Sequence, residues 1–366
     1  MRTAEGNRLA LRKSDVLMWM ASTYWPAGPT AWYGAVGMAL ALALSLALSL
    51  ALAMWIDHRF GEPRAVFHPV VWVGKYLQAC GRVTVRCPPV LAFVLGAIAW
   101  CVGAVVVGAL AWCLQALVLR QMLRWDAQPG AESVAVALVL LSIMAWLLKA
   151  MLSWRMLRDE VSAVESALQQ SPGAGRQRLA MLVSRDTTLL SESEIRESAI
   201  ESLAENLNDS VVAPIFWFVL FGLPGAAVYR FANTADAMWG YPGLRHGVDW
   251  KWAGKWAARA DDVLSWLPAR ITALLLWLVA RRFKLRTLAD EARKTPSPNS
   301  GWPMAAMALA LGVRLRKAGV YVLHAAGRSP QAQDIAMAQK YASKVLVALV
   351  LCAQAAIILI ATAMIL

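Results

Sequence analysis

Charged residues are scarce in this sequence of 366 residues, of which Asp, Glu, Lys and Arg make up 16%. Soluble domains carry about 25%, and the mean hydropathy here is +0.51. Charge is absent from residues 16–56, 87–119, 210–229 and 345–366. A helix needs about 20 apolar residues to cross a bilayer, and each of these stretches can supply them. The composition therefore excludes an ordinary soluble domain and indicates an integral membrane protein.

Several familiar chemical motifs are also missing. The five cysteines, at positions 80, 87, 101, 113 and 352, form no Cys-x-x-Cys pair, so we expect small buried residues, not disulfides or zinc ligands. The glycines of residues 173–178 are not followed by Gly-Lys-Ser/Thr, which excludes a phosphate-binding P-loop there. There is no His-Glu-x-x-His, and no Ser, His and Asp at an informative spacing.

Apolar stretches are abundant, and two more add to the four without charge. Residues 133–152 contain only Lys149 as a charge, and residues 263–280 contain only Arg270. The sequence thus predicts an all-α, polytopic integral membrane helical bundle with about five to six spans plus re-entrant or interfacial helices. We expect residues 1–30 to be a poorly ordered extension without a removable signal peptide. Residues 31–366 would form one membrane-embedded domain. Within it we expect residues 171–175 to break a helix, and residues 324–340 to be a polar linker before the last span. The apolar stretch that ends at Arg314 is too short to span and is expected to be interfacial or re-entrant.

Basic residues set the expected orientation. Lys and Arg total 36 against 23 acids, which in a membrane protein indicates loops that face anionic lipid on the cytoplasmic side, not a nucleic-acid partner. The basic loops 57–89, 153–209 and 281–344 are therefore predicted to be cytoplasmic. A break at residues 222–225 predicts two half-helices that enter and leave the membrane on one side. That arrangement brings loop 233–262 to the cytoplasm as well.

The most unusual polar stretch lies directly before an uncharged segment. Its acids, Glu197, Glu201, Glu205 and Asp209, recur every four residues and so form one stripe on a helix. Like charges at this spacing repel, and the stripe costs stability unless a cation or a basic partner lies against it. A solvated acidic face is the simpler alternative. Polar clusters beside most other apolar segments favour a site for a polyanion, with carboxylates for Mg²⁺ and Arg and Asn for phosphate.

Seven short motifs, in order, carry a resemblance to a known family. They are Gly61-Glu62-Pro63 with His68-Pro69-Val70, Arg185-Asp186-Thr187, residues 201–214, residues 233–241, residues 258–262, Pro268-Ala269-Arg270, and residues 297–303. Over residues 45–320 the sequence resembles the adenosylcobinamide-phosphate synthase family of cobalamin biosynthesis, the CobD/CbiB membrane proteins. It departs from the family pattern at Leu207, Asn208, Ser210 and Ser265.

The resemblance implies a multi-pass enzyme of the cell inner membrane with its active site on the cytoplasmic side. Such an enzyme uses ATP and Mg²⁺, with no tightly bound cofactor, to join adenosylcobyric acid to an aminoalcohol or its phosphate. Its expected partners are the corrinoid, the aminoalcohol phosphate, membrane lipid and other cobalamin-assembly membrane proteins. The alternatives are a non-catalytic relative in membrane signalling and a corrinoid transporter.

Roles for individual residues follow from the resemblance as hypotheses. The catalytic candidates are Glu201, Glu205, Asp209 and Asp236, of which the first three would bind Mg²⁺ and Asp236 would act as base toward the amine. The candidates for substrate or ATP binding are His68, Arg185, Asp186, Asn206, Asn233, Thr234, Arg259, Asp261, Asp262, Arg270, Asn299 and Trp302. For each of them, helix capping or interfacial anchoring is the structural alternative.

Overall fold

The computed structural model describes residues 31–127, 130–245 and 247–365, so the predicted extension 1–30 lies outside the described residues. Almost all of the described chain is helical, and six stretches are long and apolar enough to cross a membrane. They are Val36–Phe60, Pro89–Arg124, Ala131–Gln170, Glu192–Trp239, Lys255–Ala280 and Ala332–Ala363. The predicted class, a polytopic helical membrane protein, is confirmed.

Twelve α-helices are numbered here along the described chain. They are α1 (Ala31–Phe60), α2 (Pro69–Thr84), α3 (Pro89–Ala127), α4 (Ala131–Ala150), α5 (Trp154–Gln170), α6 (Pro172–Leu179), α7 (Glu192–Leu207), α8 (Ala213–Trp239), α9 (Lys255–Ala280), α10 (Leu285–Ala292), α11 (Gly301–Leu311) and α12 (Ala332–Ile365). A 3₁₀ turn covers Ala65–Phe67 and a π-helix covers Asn208–Val212. Two antiparallel hairpins pair β1 (Leu244–Arg245) with β2 (Val248–Asp249) and β3 (Leu315–Lys317) with β4 (Tyr321–Leu323).

Local sequence explains where the polar helices begin. Ser171 ends α5 and caps α6, accepting a hydrogen bond from the backbone N–H of Ala174, with Pro172 at the first helical position. Ser191 and Glu194 form a reciprocal capping box at the start of α7. The π-helix then joins α7 to α8 without a loop, so the acidic helix leads straight into an apolar one.

Helix α8 is interrupted at Gly222, where φ is 66° and ψ is −154°. Only glycine adopts this backbone conformation at low cost. The N–H of Leu223, freed by the break, donates to the Gln115 side-chain oxygen of α3 at 2.7 Å. A polar partner of this kind lets an irregular backbone exist among apolar helices.

The two halves of α8 fold back on each other. A Cβ on Gly225 would collide with the Trp217 carbonyl oxygen, so these two positions lie side by side. Further from the break, Arg230 donates to the Ser210 hydroxyl at 3.3 Å. In a straight helix, residues 20 positions apart would be about 30 Å apart. The chain therefore forms a tight helical hairpin, and the predicted division at residues 222–225 is confirmed.

Two apolar cores hold the helices together. The larger core joins α1, α4 and α12 to α7, α9 and α11. Gln354 of α12 donates to the Ala47 carbonyl of α1 at 3.0 Å, which fixes the register between the last and first apolar helices. The smaller core packs Leu77, Phe231 and Trp239 at the junction of α2, α3 and the second half of α8.

Two helical segments correct the sequence-based predictions. The polar linker expected at residues 324–340 is wrong beyond position 331, because α12 begins at Ala332. Asp334 stabilises its first turn by accepting from the Gln331 N–H and from both terminal nitrogens of Arg328. Helix α11 does not lie on the protein surface as an interfacial helix would, because it is buried along its whole length except at Trp302; the re-entrant alternative stays a prediction. A helix that is apolar all round packs in an interior.

The cysteines correct a third expectation. All five are free, which confirms that they form no disulfides. They are not buried, however: Cys101, Cys113 and Cys352 are exposed on long apolar helices and Cys80 and Cys87 are half-buried. The cysteines in the apolar helices therefore lie on surfaces that the surrounding lipid would cover.

Candidate functional site

A basic β-hairpin neutralises the outer half of the acidic stripe. The Glu197 carboxylate, fully buried, accepts from the Arg316 backbone N–H at 3.1 Å and pairs with the Arg316 guanidinium at 3.6 Å. Arg316 also pairs with Glu194 at 2.9 Å, and Arg314 lies 4.0 Å from Glu197. The stripe thus has the basic partner that its like charges require. This partner lies about 120 positions further along the chain.

The next acid of the stripe is paired with a predicted site arginine. Arg185 donates to Glu201 at 2.6 Å and to the Ser198 hydroxyl at 3.0 Å. Only 2% of the Glu201 side chain is exposed. The Tyr321 hydroxyl lies beside this carboxylate, and burial together with the nearby charge of Glu201 raises the pKa of Tyr321. Glu201 therefore already balances a cation, which distinguishes it from the two acids that follow.

The inner end of the stripe lies against the open end of the helical hairpin. Asp209 accepts a hydrogen bond from Asn208 at 2.8 Å and lies beside Asn233. Arg230 donates to Ser210 and, at 3.4 Å, to the Asn233 side-chain oxygen. Because the hairpin folds back at Gly222, it brings residues 209–210 to residues 230–233. Two predicted candidates, Asp209 and Asn233, thus lie side by side.

Three further aspartates close the same region. The Asp261 carboxylate lies within electrostatic range of Asp209, Asp236 and Asp262. Asn233 donates to Asp261 at 3.5 Å, and Ser265 donates to Asp261 at 3.4 Å while also contacting the Tyr229 hydroxyl. Together with Glu205, which is within range of Asp209, these residues are called the carboxylate cluster: Glu205, Asp209, Asp236, Asp261 and Asp262.

An aromatic groove adjoins the carboxylate cluster. Arg270 donates to the carbonyls of Trp266 and Pro298 and to the Asn299 side chain at 2.7–3.0 Å. Its guanidinium also lies over the rings of Trp266 and Trp302. Two connected depressions of about 620 and 930 Å³ extend from here along α9. We call the two depressions together the aromatic groove. The residues that line it include Phe93, Lys255, Trp256, Arg259, Asp262, Trp266, Arg270, Arg293, Pro298 and Trp302.

Asp262 connects the groove to the carboxylate cluster. Its side chain lines the groove and lies near Arg259, and its backbone carbonyl accepts from Asn299 at 2.7 Å. Arg270 and Asn299 therefore hold the Ser297-Pro298-Asn299 segment against α9. The last two sequence motifs of the resemblance, residues 268–270 and 297–303, meet at this point, and both lie next to the fifth motif, residues 258–262.

The loop after α1 lies behind Arg230. Lys149, 1% exposed, pairs with Asp57 at 3.3 Å and with Glu62 at 2.8 Å. Glu62 also accepts from His68 Nε2 at 3.1 Å. Burial alone would raise the pKa of Glu62, but hydrogen bonds from His68 and Lys149 hold it below its ordinary value. Glu62 lies within electrostatic range of Arg230, so this loop contacts the same site.

His68 is engaged at both ring nitrogens. Its Nδ1 accepts from the Val70 N–H at 3.3 Å and caps α2, so the proton on Nε2 is the one donated to Glu62. A histidine with both nitrogens in protein hydrogen bonds is not free to hydrogen-bond a substrate. The structure thus gives His68 a capping contact at the position where substrate contact was predicted.

Three other predicted residues make only local contacts. Asp186 accepts from the N–H and hydroxyl of Thr188, and these hydrogen bonds lower the pKa of this exposed carboxyl. The Asn206 side chain donates to Ser202, one turn earlier. Thr234 donates to the Arg230 carbonyl in the same helix. None of these contacts caps a helix, and the substrate- or ATP-binding roles of the three residues stay predictions.

Two residues that the sequence reasoning missed lie at the centre. Arg230 was not named, although it is the first charge after the uncharged residues 210–229. Lys149 was noted only as an exception in an apolar stretch. An ionisable residue beside or within an apolar segment is a functional-site hypothesis by default, and that rule would have found both.

The arrangement suits the binding of polyanions together with a cation. Within residues 31–127, 130–245 and 247–365, no three His, Cys, Asp or Glu side chains are close enough to hold a metal ion by themselves. Magnesium in nucleotide sites usually takes one or two carboxylates and completes its shell with water and substrate phosphates. The cluster's oxygen donors fit that mode, since Glu205 and Asp209 lack the guanidinium partner that Glu201 has.

Comparisons with known proteins agree with this pattern of motifs. The model of the CobD/Cbib protein family matches residues 50–352. A probable cobalamin biosynthesis protein CobD from Pyrococcus furiosus is 39% identical over 288 residues, which are 79% of this chain and 90% of that protein. A cobalamin biosynthesis protein CobD from Dehalococcoides mccartyi is 36% identical over 279 residues, 74% of this chain and 84% of that protein.

A shorter match is more similar. The probable cobalamin biosynthesis protein CobD of Methanothermobacter thermautotrophicus is 49% identical over 167 residues, or 44% of this chain and 54% of that protein. No solved structure matches this chain. The family match covers all of the segments that meet at the carboxylate cluster and the aromatic groove. This chain belongs to the CobD/CbiB family, whose named relatives are cobalamin biosynthesis proteins.

Proposed function

We propose that this protein is an ATP-dependent amide ligase that joins adenosylcobyric acid to an aminoalcohol or an aminoalcohol phosphate. One observation carries the proposal. Segments that are far apart in the sequence bring the carboxylate cluster and Arg230 together, directly beside a large tryptophan-lined groove. A ligase of this kind needs both parts, a polar centre for nucleotide and amine and a broad surface for a tetrapyrrole.

Amide formation from a carboxylate requires that ATP first activate the carboxylate. An amine does not displace oxygen from a carboxylate, because the leaving group would be an oxide ion. If the corrin carboxylate oxygen attacks the terminal phosphorus of ATP, ADP leaves and an acyl phosphate forms. The amine nitrogen then attacks the acyl carbon, and the bond between that carbon and the phosphate oxygen breaks. Inorganic phosphate leaves with the electron pair of that bond, and the nitrogen gives up a proton. The site must therefore bind phosphate, accept that proton and exclude water.

The residues in place divide these tasks. Asp236, within electrostatic range of Asp209 and Asp262, is proposed as the base that takes the proton from the amine. The cluster's negative charge also favours a cationic ammonium before that step. The groove beside Asp262, with Trp256, Trp266 and Trp302 on its walls, would take the flat face of the corrin by ring contact.

Magnesium is proposed to enter with the nucleotide. Glu205 and Asp209 would hold the ion, and its charge would neutralise developing negative charge on the phosphates. Glu201, predicted as the third ligand, faces Arg185 at 2.6 Å and would contribute by fixing α7. No tightly bound cofactor is needed for this reaction.

Location and partners remain part of the proposal. The basic loops favour a cytoplasmic site on an inner-membrane protein, where ATP is available. Membrane lipid covers the exposed apolar helices, and other cobalamin-assembly membrane proteins are expected neighbours. A corrinoid transporter would instead need its charged groups along a path through the bilayer. The carboxylate cluster described here instead adjoins a groove along α9, through Asp262.

A deletion strain tests the proposal against both alternatives. The gene is removed from its host, and corrinoids in the cell extract are separated and identified by mass. The ligase predicts accumulation of adenosylcobyric acid, reversed by the wild-type gene but not by the Asp236→Asn variant at equal protein level. Unchanged intermediates with lost corrinoid uptake would indicate the transporter. Normal corrinoid synthesis and uptake would favour a non-catalytic relative and overturn the proposal.

A further inference from the structure

Arg230, which is half-buried, differs from three other buried or half-buried cations of this chain. Lys149 pairs with two carboxylates, Arg185 with Glu201, and Arg196 with Glu165 at 2.8 Å. Among the described residues, no carboxylate lies within ion-pair distance of Arg230. Its partners there are the neutral side-chain oxygens of Ser210 and Asn233. Partly withdrawing a guanidinium from water without a direct ion-pair partner is costly, so an anion bound to it would relieve that cost.

Donors remain open on this guanidinium. One terminal nitrogen makes both long contacts, at 3.3 and 3.4 Å, while the buried Nε has no hydrogen-bond partner among the described residues. Arg presents five N–H donors in a planar fork that matches two oxygens of a phosphate. The existing contacts hold the side chain in place from one side and leave donors for a ligand.

The surroundings select the kind of anion. Asp209 and Glu62 lie within electrostatic range of Arg230 without pairing with it, and the rest of the carboxylate cluster is close to Asp209. A single weak anion would be repelled from such a site. A phosphate, which carries more charge and can arrive with a magnesium ion, gains more from a guanidinium than a carboxylate does.

We propose that Arg230 is the residue that binds the phosphoryl group of a substrate at this site, which rests on the ligase function proposed above. Two substrates offer this chemistry: the terminal phosphate of the nucleotide and the phosphate ester of the aminoalcohol. Ser210 and Asn233 orient the guanidinium, and they do so because the helical hairpin returns residue 230 to residue 210. If the ligand is the phosphate ester of the aminoalcohol, Arg230 would make the protein prefer the phosphorylated aminoalcohol over the free one.

Kinetic measurements with three substrates distinguish the two phosphates that Arg230 could bind. The purified full-length protein is assayed with ATP, with (R)-1-amino-2-propanol phosphate and with the free aminoalcohol. Hydrogen bonds to charged groups contribute enough that Arg230→Gln should raise KM for one phosphorylated substrate by roughly 10- to 100-fold. An increase for ATP assigns Arg230 to the nucleotide, and an increase for the phosphorylated aminoalcohol assigns it to that ester. The KM of the free aminoalcohol should stay unchanged.

Matched variants guard against a structural explanation. Arg230→Lys keeps the charge and should recover part of the lost affinity. The half-buried Arg158, which pairs with the adjacent Asp159, supplies the control Arg158→Gln, whose KM values should equal those of the wild type. Unchanged KM values for both phosphorylated substrates in Arg230→Gln, or an equal increase for all three substrates, would overturn the assignment.

Binding without turnover keeps the two proposals distinguishable. Equilibrium dialysis measures retention of radiolabelled ATP and of the aminoalcohol phosphate by wild type and Arg230→Gln. If wild type forms no amide yet binds one of these compounds, and Arg230→Gln does not, the phosphate site holds while the ligase proposal fails. If wild type and the variant bind both compounds equally, or wild type binds neither, the assignment of Arg230 is wrong.

Discussion

The buried ion pairs of Lys149 give the clearest stability prediction. In Lys149→Met, Asp57, which has no exposed surface, loses its cation at 3.3 Å and Glu62 loses its cation at 2.8 Å. Removing one partner of a buried pair typically costs about 3–5 kcal/mol. Asp57 keeps its hydrogen bond from the Arg155 N–H, and Glu62 keeps its hydrogen bond from His68. We therefore expect the free energy of unfolding to fall by an amount within that range, not by twice that amount for the two lost ion pairs.

Thermal unfolding of the detergent-solubilised protein measures this loss. A destabilisation of that size should lower Tm by at least about 5 °C. The exposed Lys75 provides the control Lys75→Met, which should leave Tm unchanged. The triple variant Asp57→Asn, Glu62→Gln, Lys149→Met leaves no unpaired buried charge and should recover most of the stability that Lys149→Met loses. An unchanged Tm in Lys149→Met, or no recovery in the triple variant, would refute the reasoning.

Three further predictions concern the hairpin and the loop. Gly222→Ala should lower the free energy of unfolding by about 1–3 kcal/mol, because φ is positive there and a Cβ would collide with the Gln115 side chain. The control Gly243→Ala, at a position with open space around it, should leave Tm unchanged. Ala237→Cys in sealed cells should react only with thiol reagents that enter the cell; labelling from outside would contradict the predicted orientation. Because the pKa of Glu62 is lowered in the folded protein, the ionised Glu62 stabilises the fold fully above pH 4.5, and this stabilisation is lost as the pH falls further. Tm should therefore fall less steeply at acid pH in Glu62→Gln than in the wild type.

The helices were largely predictable because their signals are local. Uncharged runs of span length, the break at Ser171 and the glycines at residues 222–225 all act within a few positions of themselves. The same holds for the direct passage from an acidic helix into an apolar one. The sequence also predicted that the acidic stripe needs a basic partner, which is a statement about repulsion within one helix.

The identity of that partner was not predictable from one sequence. Arg314 and Arg316 lie more than 110 positions from Glu197, and no local period connects them. The same reason hid the role of Lys149, whose partners Asp57 and Glu62 lie more than 80 positions earlier, at the end of α1 and in the loop that follows it. Contacts between distant segments decide which acids already have a basic partner. They give Glu201 the partner Arg185, which distinguishes it from Glu205 and Asp209.

The predicted site residues differ in how many distant segments they contact. Asp209, Asp236 and Asp261 gather in the carboxylate cluster, whereas Asp186, Asn206 and Thr234 are satisfied within one turn of their own segment. Short polar side chains commonly bond to nearby backbone, so a polar residue in a motif is not by itself a ligand contact. Their roles in catalysis remain predictions.

The central claim is that this convergence of segments makes an amide at the expense of ATP. Purified protein is incubated with adenosylcobyric acid, (R)-1-amino-2-propanol phosphate, ATP and Mg²⁺, and the corrinoid product and ADP are quantified by mass spectrometry. The account predicts one ADP for each amide formed, and a rate roughly 10²- to 10⁴-fold lower in Asp236→Asn. No amide from the wild-type protein, amide formation without ATP, or full activity in that variant would contradict it.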